Sequence, residues 1–264
     1  MDGGMSSVRQ PICKRRTVSR ATAMPNYQRL YERQYGEGKL VCHNSLPRLR
    51  SFFHQYDLTR HDLAPKYLTP GQTFLDLGCG EGTGYFALSD RYQRIIGIDI
   101  APSRLALAKK KVDTQFSDLK HKFLFLEHNL DETLPLKSES VDAINCVAVI
   151  EHVFEVFDLV KECYRVLKPC GEIVAEVPNI VYLRHRLKLL VGVLPATSSP
   201  TNWPQIGWDG GHIHYFTMKE FCELFEWAGF RIRLKTGTGL LAGMRNWWPS
   251  LMCGDYAIVA QKPK

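Results

Sequence analysis

The sequence predicts an α/β fold in which a mostly parallel sheet carries helices on both faces and gathers its strand ends at one crevice. Three observations lead there. Residues 74–84 read F-L-D-L-G-C-G-E-G-T-G, an apolar run that stops in four glycines spaced two apart. Residues 94–99 form a second apolar run closing on a carboxylate, Asp99, 23 residues after Asp76. Downstream, short apolar runs alternate with helical periodicity, the order expected of βαβ units.

At 264 residues, 45% hydrophobic and 23% charged, the chain is long enough to bury one large core. No run approaches 18 apolar residues and residues 1–24 lack a signal peptide's hydrophobic stretch, so a soluble, cytoplasmic protein without a transmembrane segment is expected. Eight cysteines without a C-x-x-C pair argue against both structural zinc and a disulfide framework. The net charge is +7, and Arg9, Lys14, Arg15, Arg16 and Arg20 place more than half of the excess in residues 1–24, read as a basic disordered tail. Outside it no aromatic and basic residues interleave as a nucleic-acid groove requires, so nucleic acid is not the expected partner.

Residues 25–70 precede the first core strand and carry Tyr27, Leu30, Tyr31 and Gln34 at helix spacing, then an amphipathic stretch over 46–56. They are read as a helical lid, with Tyr31 or Tyr35 either closing on a ligand or packing a helix on the sheet. Thr73, Phe74, Leu75 and Leu77 make a buried strand. Gly78, Gly80, Gly82 and Gly84 let the chain turn tightly and approach a ligand without Cβ obstruction. Residues 85–88 read as the first turn of a helix, whose N–H groups favour a polar or anionic ligand. After the strand at 94–99, Pro102 opens a helix through Lys111, and 123–126 is a third strand.

Residues 141–146 form a fourth strand, followed by V-A-V-I-E-H-V. Residues 157–167 form a helix ended by Lys168-Pro169-Cys170-Gly171, and 172–177 form a fifth strand. Residues 179–215 are the least core-like part and read as a substrate-side insertion. Within it, 182–191 set Leu183, Leu187, Leu190 and Val191 on one face and Arg184, Arg186 and Lys188 elsewhere. Such a helix suits a membrane surface or a lipid-like or anionic ligand, and equally a solvated face over a packed stripe. In His212-Ile213-His214, strand alternation would put both histidines on one side; no third metal ligand at suitable spacing accompanies them, so no metal is expected. Thr217 is the N-cap of a helix carrying Phe221, Leu224, Phe225 and Ala228, stopped by Gly229. Residues 230–236 and 256–261 are the last strands.

The ligand follows from the glycines. The nicotinamide fingerprint G-x-G-x-x-G fails from Gly78 and from Gly80, because Thr83 and Tyr85 occupy the third glycine's place. An acid two residues before the first glycine suits a ligand ammonium and would repel a pyrophosphate. Asp99, at the end of the second strand, is placed to accept ribose hydroxyls. Asp76 followed by G-x-G-x-G resembles motif I of the class I S-adenosylmethionine-dependent methyltransferases, of the type 11/23 group. That resemblance covers roughly residues 70–262. It implies a Rossmann-like seven-stranded sheet, mostly parallel with an antiparallel last strand, in a domain over 71–264. It also implies S-adenosylmethionine as cofactor, held by Asp76, Gly78, Cys79, Gly80 and Gly82 around its methionine part, by Asp99 and Ile100 at the ribose, by Asn129 and Leu130 at the adenine edge, and by the backbone of Cys146 and Val147.

The E-H-V following the fourth strand resembles the family's signature there, which makes His152 either a general base or a buttress of the loop. A narrower likeness through Pro178-Asn179, Leu194-Pro195 and His212 to Thr217 is to the MetW type of methionine biosynthesis. The function implied is methyl transfer to a small-molecule acceptor, lipid-like or anionic, with His214, His212 and His152 as base candidates in that order. The other reading is a non-catalytic MetW-like partner subunit that keeps the cofactor-binding fold. The N-P-P-Y tetrapeptide of enzymes acting on an extruded base is missing, since Val147-Ala148-Val149-Ile150 stands there.

Overall fold

The computed structural model describes residues 57–82, 86–198 and 208–264. The basic tail, the lid tyrosines 27, 31 and 35, and the stretch 46–56 lie outside the described residues, as do Thr83, Gly84, Tyr85 and residues 199–207. Seven strands form one sheet: β1 (Gly71–Leu77), β2 (Tyr92–Asp99), β3 (Phe123–Glu127), β4 (Val141–Val147), β5 (Leu167–Pro178), β6 (Arg231–Gly237) and β7 (Asp255–Gln261). Their order is β3-β2-β1-β4-β5-β7-β6. The first five are parallel, and β7 inserts antiparallel to both β5 and β6. The expected seven-stranded sheet with an antiparallel last strand is the one observed.

Successive strand residues point to opposite faces, and the sequence puts apolar side chains at both phases because both faces are covered. Phe74, Ile95, Ala143, Val174 and Val259 enter one core layer, with Leu63 and Ala64 of α1 (Leu63–Tyr67) and Leu105 of α2 (Pro102–Gln115). Leu75, Ile96, Ile144, Ile173 and Ile258 enter the other, against Leu159, Val160 and Cys163 of α3 (Val156–Val166) and Phe221 and Phe225 of α5 (Met218–Trp227). The helix α4 (Leu183–Leu190) lies between β5 and α5 in the chain, and short helices α6 (Ala242–Arg245) and α7 (Pro249–Met252) join β6 to β7. Among the described residues no helix is long and apolar enough to cross a membrane.

Three elements differ from expectation. Following the glycines, the described residues hold only a 3-10 turn, Phe86–Leu88, before β2 begins at Tyr92. Helix α2 runs past Lys111 to Gln115 because Val112 is buried and its carbonyl accepts the Phe116 N–H at 2.9 Å. Strand β5 starts at Leu167 rather than Glu172: the Lys168-Pro169-Cys170-Gly171 break is a kink within the strand, with Cys170 at φ 64 and a register shift opposite Val141 and Ala143. A left-handed residue there aims the Cys170 N–H at the Lys262 carbonyl (2.9 Å), so the ladder survives the break.

The amino ends of the strands are joined by polar staples. Asp142 Oδ2 accepts the N–H groups of Gln72 (3.1 Å) and Thr73 (2.7 Å), and its Oδ1 accepts from Lys168 Nζ at 2.7 Å. Glu172 takes both the N–H and the hydroxyl of Thr69. The carboxyl ends carry the crevice.

Candidate active site

Strand β1 delivers Asp76 and then ends in a turn whose left-handed backbone favours glycine. Gly78 and Gly80 have φ of +63° and +53°, and a Cβ on Gly78 would stand 2.6 Å from Val149 Cγ2. A Cβ on Gly80 would stand 2.7 Å from Arg104 Nη2. Cys79 between them is buried; its N–H bonds the Ile98 carbonyl at 3.0 Å, and its Sγ fills the space that a side chain at Gly97 would need. Gly82 donates to the Cys79 carbonyl at 3.0 Å, closing the turn.

The two strand-end acids meet at this turn. Asp99 Oδ2 accepts the Gly80 N–H at 2.7 Å and Oδ1 accepts the Ala101 N–H at 2.8 Å, tying the glycine loop to the start of α2. Asp76 is 5% exposed and accepts from Asn145 Nδ2 at 2.6 Å. Burial pushes its carboxyl up to about 7; the Asn145 bond works the other way, and the Asp99 charge adds to the rise. A buried acid held near neutrality beside a second acid is a site that a cation would relieve. The ammonium of S-adenosylmethionine is such a cation, and a carboxylate such as Asp99 can accept more hydrogen bonds than one per oxygen, which suits ribose hydroxyls. The residues therefore fit the cofactor.

The other expected contacts flank the turn. Ile100 is half-buried between Asp99 and Ala101. The His128 N–H bonds the Asp99 carbonyl at 3.1 Å, which sets Asn129 and Leu130 beside β2; Asn129 Oδ1 accepts the Asp131 N–H and Leu130 packs against the core. Cys146 is buried, Val147 is half-buried in the opposite layer, and Ala148 sits at φ 56 with its N–H on the Glu176 carbonyl at 3.1 Å. A non-glycine residue in the left-handed region is strained and concentrates at functional sites. Asn145 and Arg104 were not singled out from the sequence. Asn145 becomes visible only through the β1–β4 register, which pairs it with Asp76.

The histidines gather at the same end of the sheet. Asp209, Gly210 and Gly211 have φ of 48°, 64° and 80°, a left-handed run that returns the chain over the end of β4. Asp209 is buried and collects the N–H and hydroxyl groups of Thr197 and Ser198 together with the Tyr215 hydroxyl. Burial alone would raise its carboxyl; the hydrogen bonds from Ser198 and Thr197 outweigh it and hold it low. His152 and His212 then meet edge to face, ring centroids 4.6 Å apart. Burial drives the His152 imidazole down to about 3, with His212 adding to the fall, and burial also lowers His212. Glu151 is 1% exposed and its carboxyl rises to about 8 through burial.

His214 takes a different place. The backbone of 212–215 is not strand, so alternation does not govern it: both the Ile213 and the His214 N–H groups bond the Glu151 carbonyl, at 2.8 and 3.2 Å. The His214 ring lies 6.2 Å from that of Phe216, and its buried Nε2 finds no hydrogen-bond partner among the described residues.

Comparison with known proteins agrees with this geometry. Residues 75–175, from β1 into β5, match a family model described as a methyltransferase domain. A "probable S-adenosylmethionine-dependent methyltransferase" of Mycolicibacterium smegmatis is 30% identical over 192 residues, which are 72% of this chain and 65% of that protein. A demethylmenaquinone methyltransferase of Oceanobacillus iheyensis is 26% identical over 218 residues, 76% of this chain and 88% of the relative. The chain thus spans just under two thirds of the first relative's length. Among solved structures, an S-adenosylmethionine-dependent methyltransferase of Methanosarcina mazei superposes with a TM-score of 0.55 at 23% identity, over 78% of this chain and 99% of its own. With the sheet order, the acid-flanked glycine turn and the matched model in agreement, residues 75–175 carry a methyltransferase domain of the class I S-adenosylmethionine-dependent type.

Proposed function

We propose that the protein transfers the methyl group of S-adenosylmethionine to a small-molecule acceptor with a lipid-like portion. The observation that carries the transfer is the buried Asp76 beside Asp99 across a turn where Cβ atoms would clash. When bound, the cofactor supplies a methyl already activated on a sulfonium. Asp76 would hold its ammonium, Asp99 its ribose hydroxyls, and the Gly78 to Gly80 backbone would let it lie close. What remains for the chain is alignment and the exclusion of water, and positioning of this kind is worth on the order of 7–11 kcal/mol.

An oxygen acceptor also has to lose a proton. His214 suits that task through its unpartnered Nε2, whereas His152 Nδ1 is engaged by the Gly211 carbonyl and His212 Nδ1 by Thr197. The lipid-like portion is argued from α4: Leu187 and Leu190 are 54% and 81% exposed, and Tyr182, Leu183, Arg184, Leu187, Lys188 and Val191 line an open groove, apolar with a basic rim. The demethylmenaquinone methyltransferase relative points to the same class of acceptor. The test is transfer of labelled methyl to hydroxylated aromatic acceptors with and without an isoprenoid tail. Turnover favouring the tailed compounds, lost in His214→Ala while cofactor binding persists, is expected. Cofactor binding without turnover on any acceptor, with a stable complex in pull-downs, would instead assign the protein to non-catalytic partners.

A further inference from the structure

The cluster beside the crevice has more order than a methyl acceptor alone requires. One ligand atom from each of Glu151, His152 and His212 lies within 4.8 Å of the other two. The protonation of both rings follows from their partners. The Gly211 carbonyl, 3.2 Å from His152 Nδ1, can only accept, so Nδ1 carries the hydrogen and Nε2 the lone pair. The Thr197 hydroxyl spends its single hydrogen on Asp209 Oδ2 at 2.7 Å, so at 2.6 Å it accepts from His212 Nδ1, and His212 Nε2 also carries a lone pair. Glu151 Oε2 is buried and has no hydrogen-bond partner among the described residues. One ring nitrogen of each imidazole and a carboxyl oxygen of Glu151 thus lie close together.

We propose that Glu151, His152 and His212 form a binding site for a divalent transition-metal ion. Imidazole nitrogens favour zinc, iron(II), nickel and their neighbours over magnesium and calcium, and two histidines with one carboxylate are a recurrent open set for them. The outer contacts are those such a site needs. A ligating histidine ordinarily donates its other N–H to a carbonyl or to a group tied to a carboxylate; Gly211 fills that role for His152, and Thr197 with Asp209 fills it for His212. The Ile213 and His214 N–H bonds to the Glu151 carbonyl fix the two ligand-bearing segments to each other.

Ligands about 2.0–2.2 Å from zinc stand roughly 3.3–3.6 Å apart in a tetrahedron, so binding need draw the three atoms together by no more than about an ångström. Arg60 is the nearby cation. It stands 3.8 Å from Glu176 Oε2, a carboxylate that offsets its charge. Glu151 lies three residues past Ala148, and none of the three ligands is among the residues assigned to the cofactor.

The test uses the full chain without an affinity tag, stripped with chelator and titrated with cobalt(II) and manganese(II). Expected are one ion per chain, cobalt d–d absorption of a nitrogen and oxygen site, and a raised melting temperature with metal. His212→Ala and Glu151→Gln should abolish the cobalt spectrum, and Thr197→Val should weaken binding 10–100-fold. Calorimetry with S-adenosylmethionine on the same samples reports folding and the cofactor site independently. No stoichiometric ion in the native protein would overturn the proposal, as would an ion bound equally well by variants that still bind the cofactor.

Discussion

Asp76 is an acid that the fold keeps from water, and its titration is where chemistry and stability meet. Its carboxyl ordinarily ionises near 3.8 and in the folded chain near 7, so between those values the native state holds a proton that the unfolded chain has lost. Asp76 therefore makes the cofactor-free protein less stable as pH rises from about 4 to 7. Denaturation midpoints measured across that range should fall less steeply in Asp76→Asn than in the native chain. Binding of the cofactor's ammonium reverses the balance: affinity should rise with pH through about 7, and calorimetry in buffers of different ionisation enthalpy should detect a released proton. Gly78→Ala, forced to φ +63° against Val149, should cost about 1–2 kcal/mol of stability and weaken cofactor binding. These residues were legible because a strand that stops in alternating glycines declares itself in one dimension. Asn145, Arg104 and Asp209 were not, since their roles arise from register and from a returning loop.

Elements divide the work between the two ends of the sheet. Asp142 staples the start of β1 to β4 and to Lys168, far from the crevice. Asp142→Ala should lower stability by roughly 1.5–3 kcal/mol, the worth of hydrogen bonds to a charged group, and leave the cofactor dissociation constant unchanged. Helix α4 should behave in the opposite way. Leu187→Ser with Leu190→Ser touches exposed side chains, so the melting temperature should hold while KM for a lipid-like acceptor rises several-fold. The periodicity of α2, α3 and α5 announced them, with ends displaced by buried residues such as Val112. The kink in β5 was hidden because Lys-Pro-Cys-Gly reads as a stop, and only the bond from Cys170 to Lys262 shows the strand continuing.

At the scale of the molecule, β1 to β5 run parallel and so leave their carboxyl ends on one side, where Asp76, Asp99, Asn129, Val147 and the Pro178-Asn179 segment are collected. Alternating apolar runs and helices sufficed to foresee that arrangement, because right-handed crossovers admit few others. The site between Glu151, His152 and His212 was not foreseeable in the same way: its third ligand is supplied by the fold, across more than fifty residues of chain. The measurement that bears most directly on the whole account is the dissociation constant for S-adenosylmethionine in the native chain and in Asp76→Ala and Asp99→Ala. Saturable binding by the native chain, weakened at least tenfold by each replacement in proteins that remain folded, is the result predicted. No saturable binding, or binding indifferent to both replacements, would contradict it.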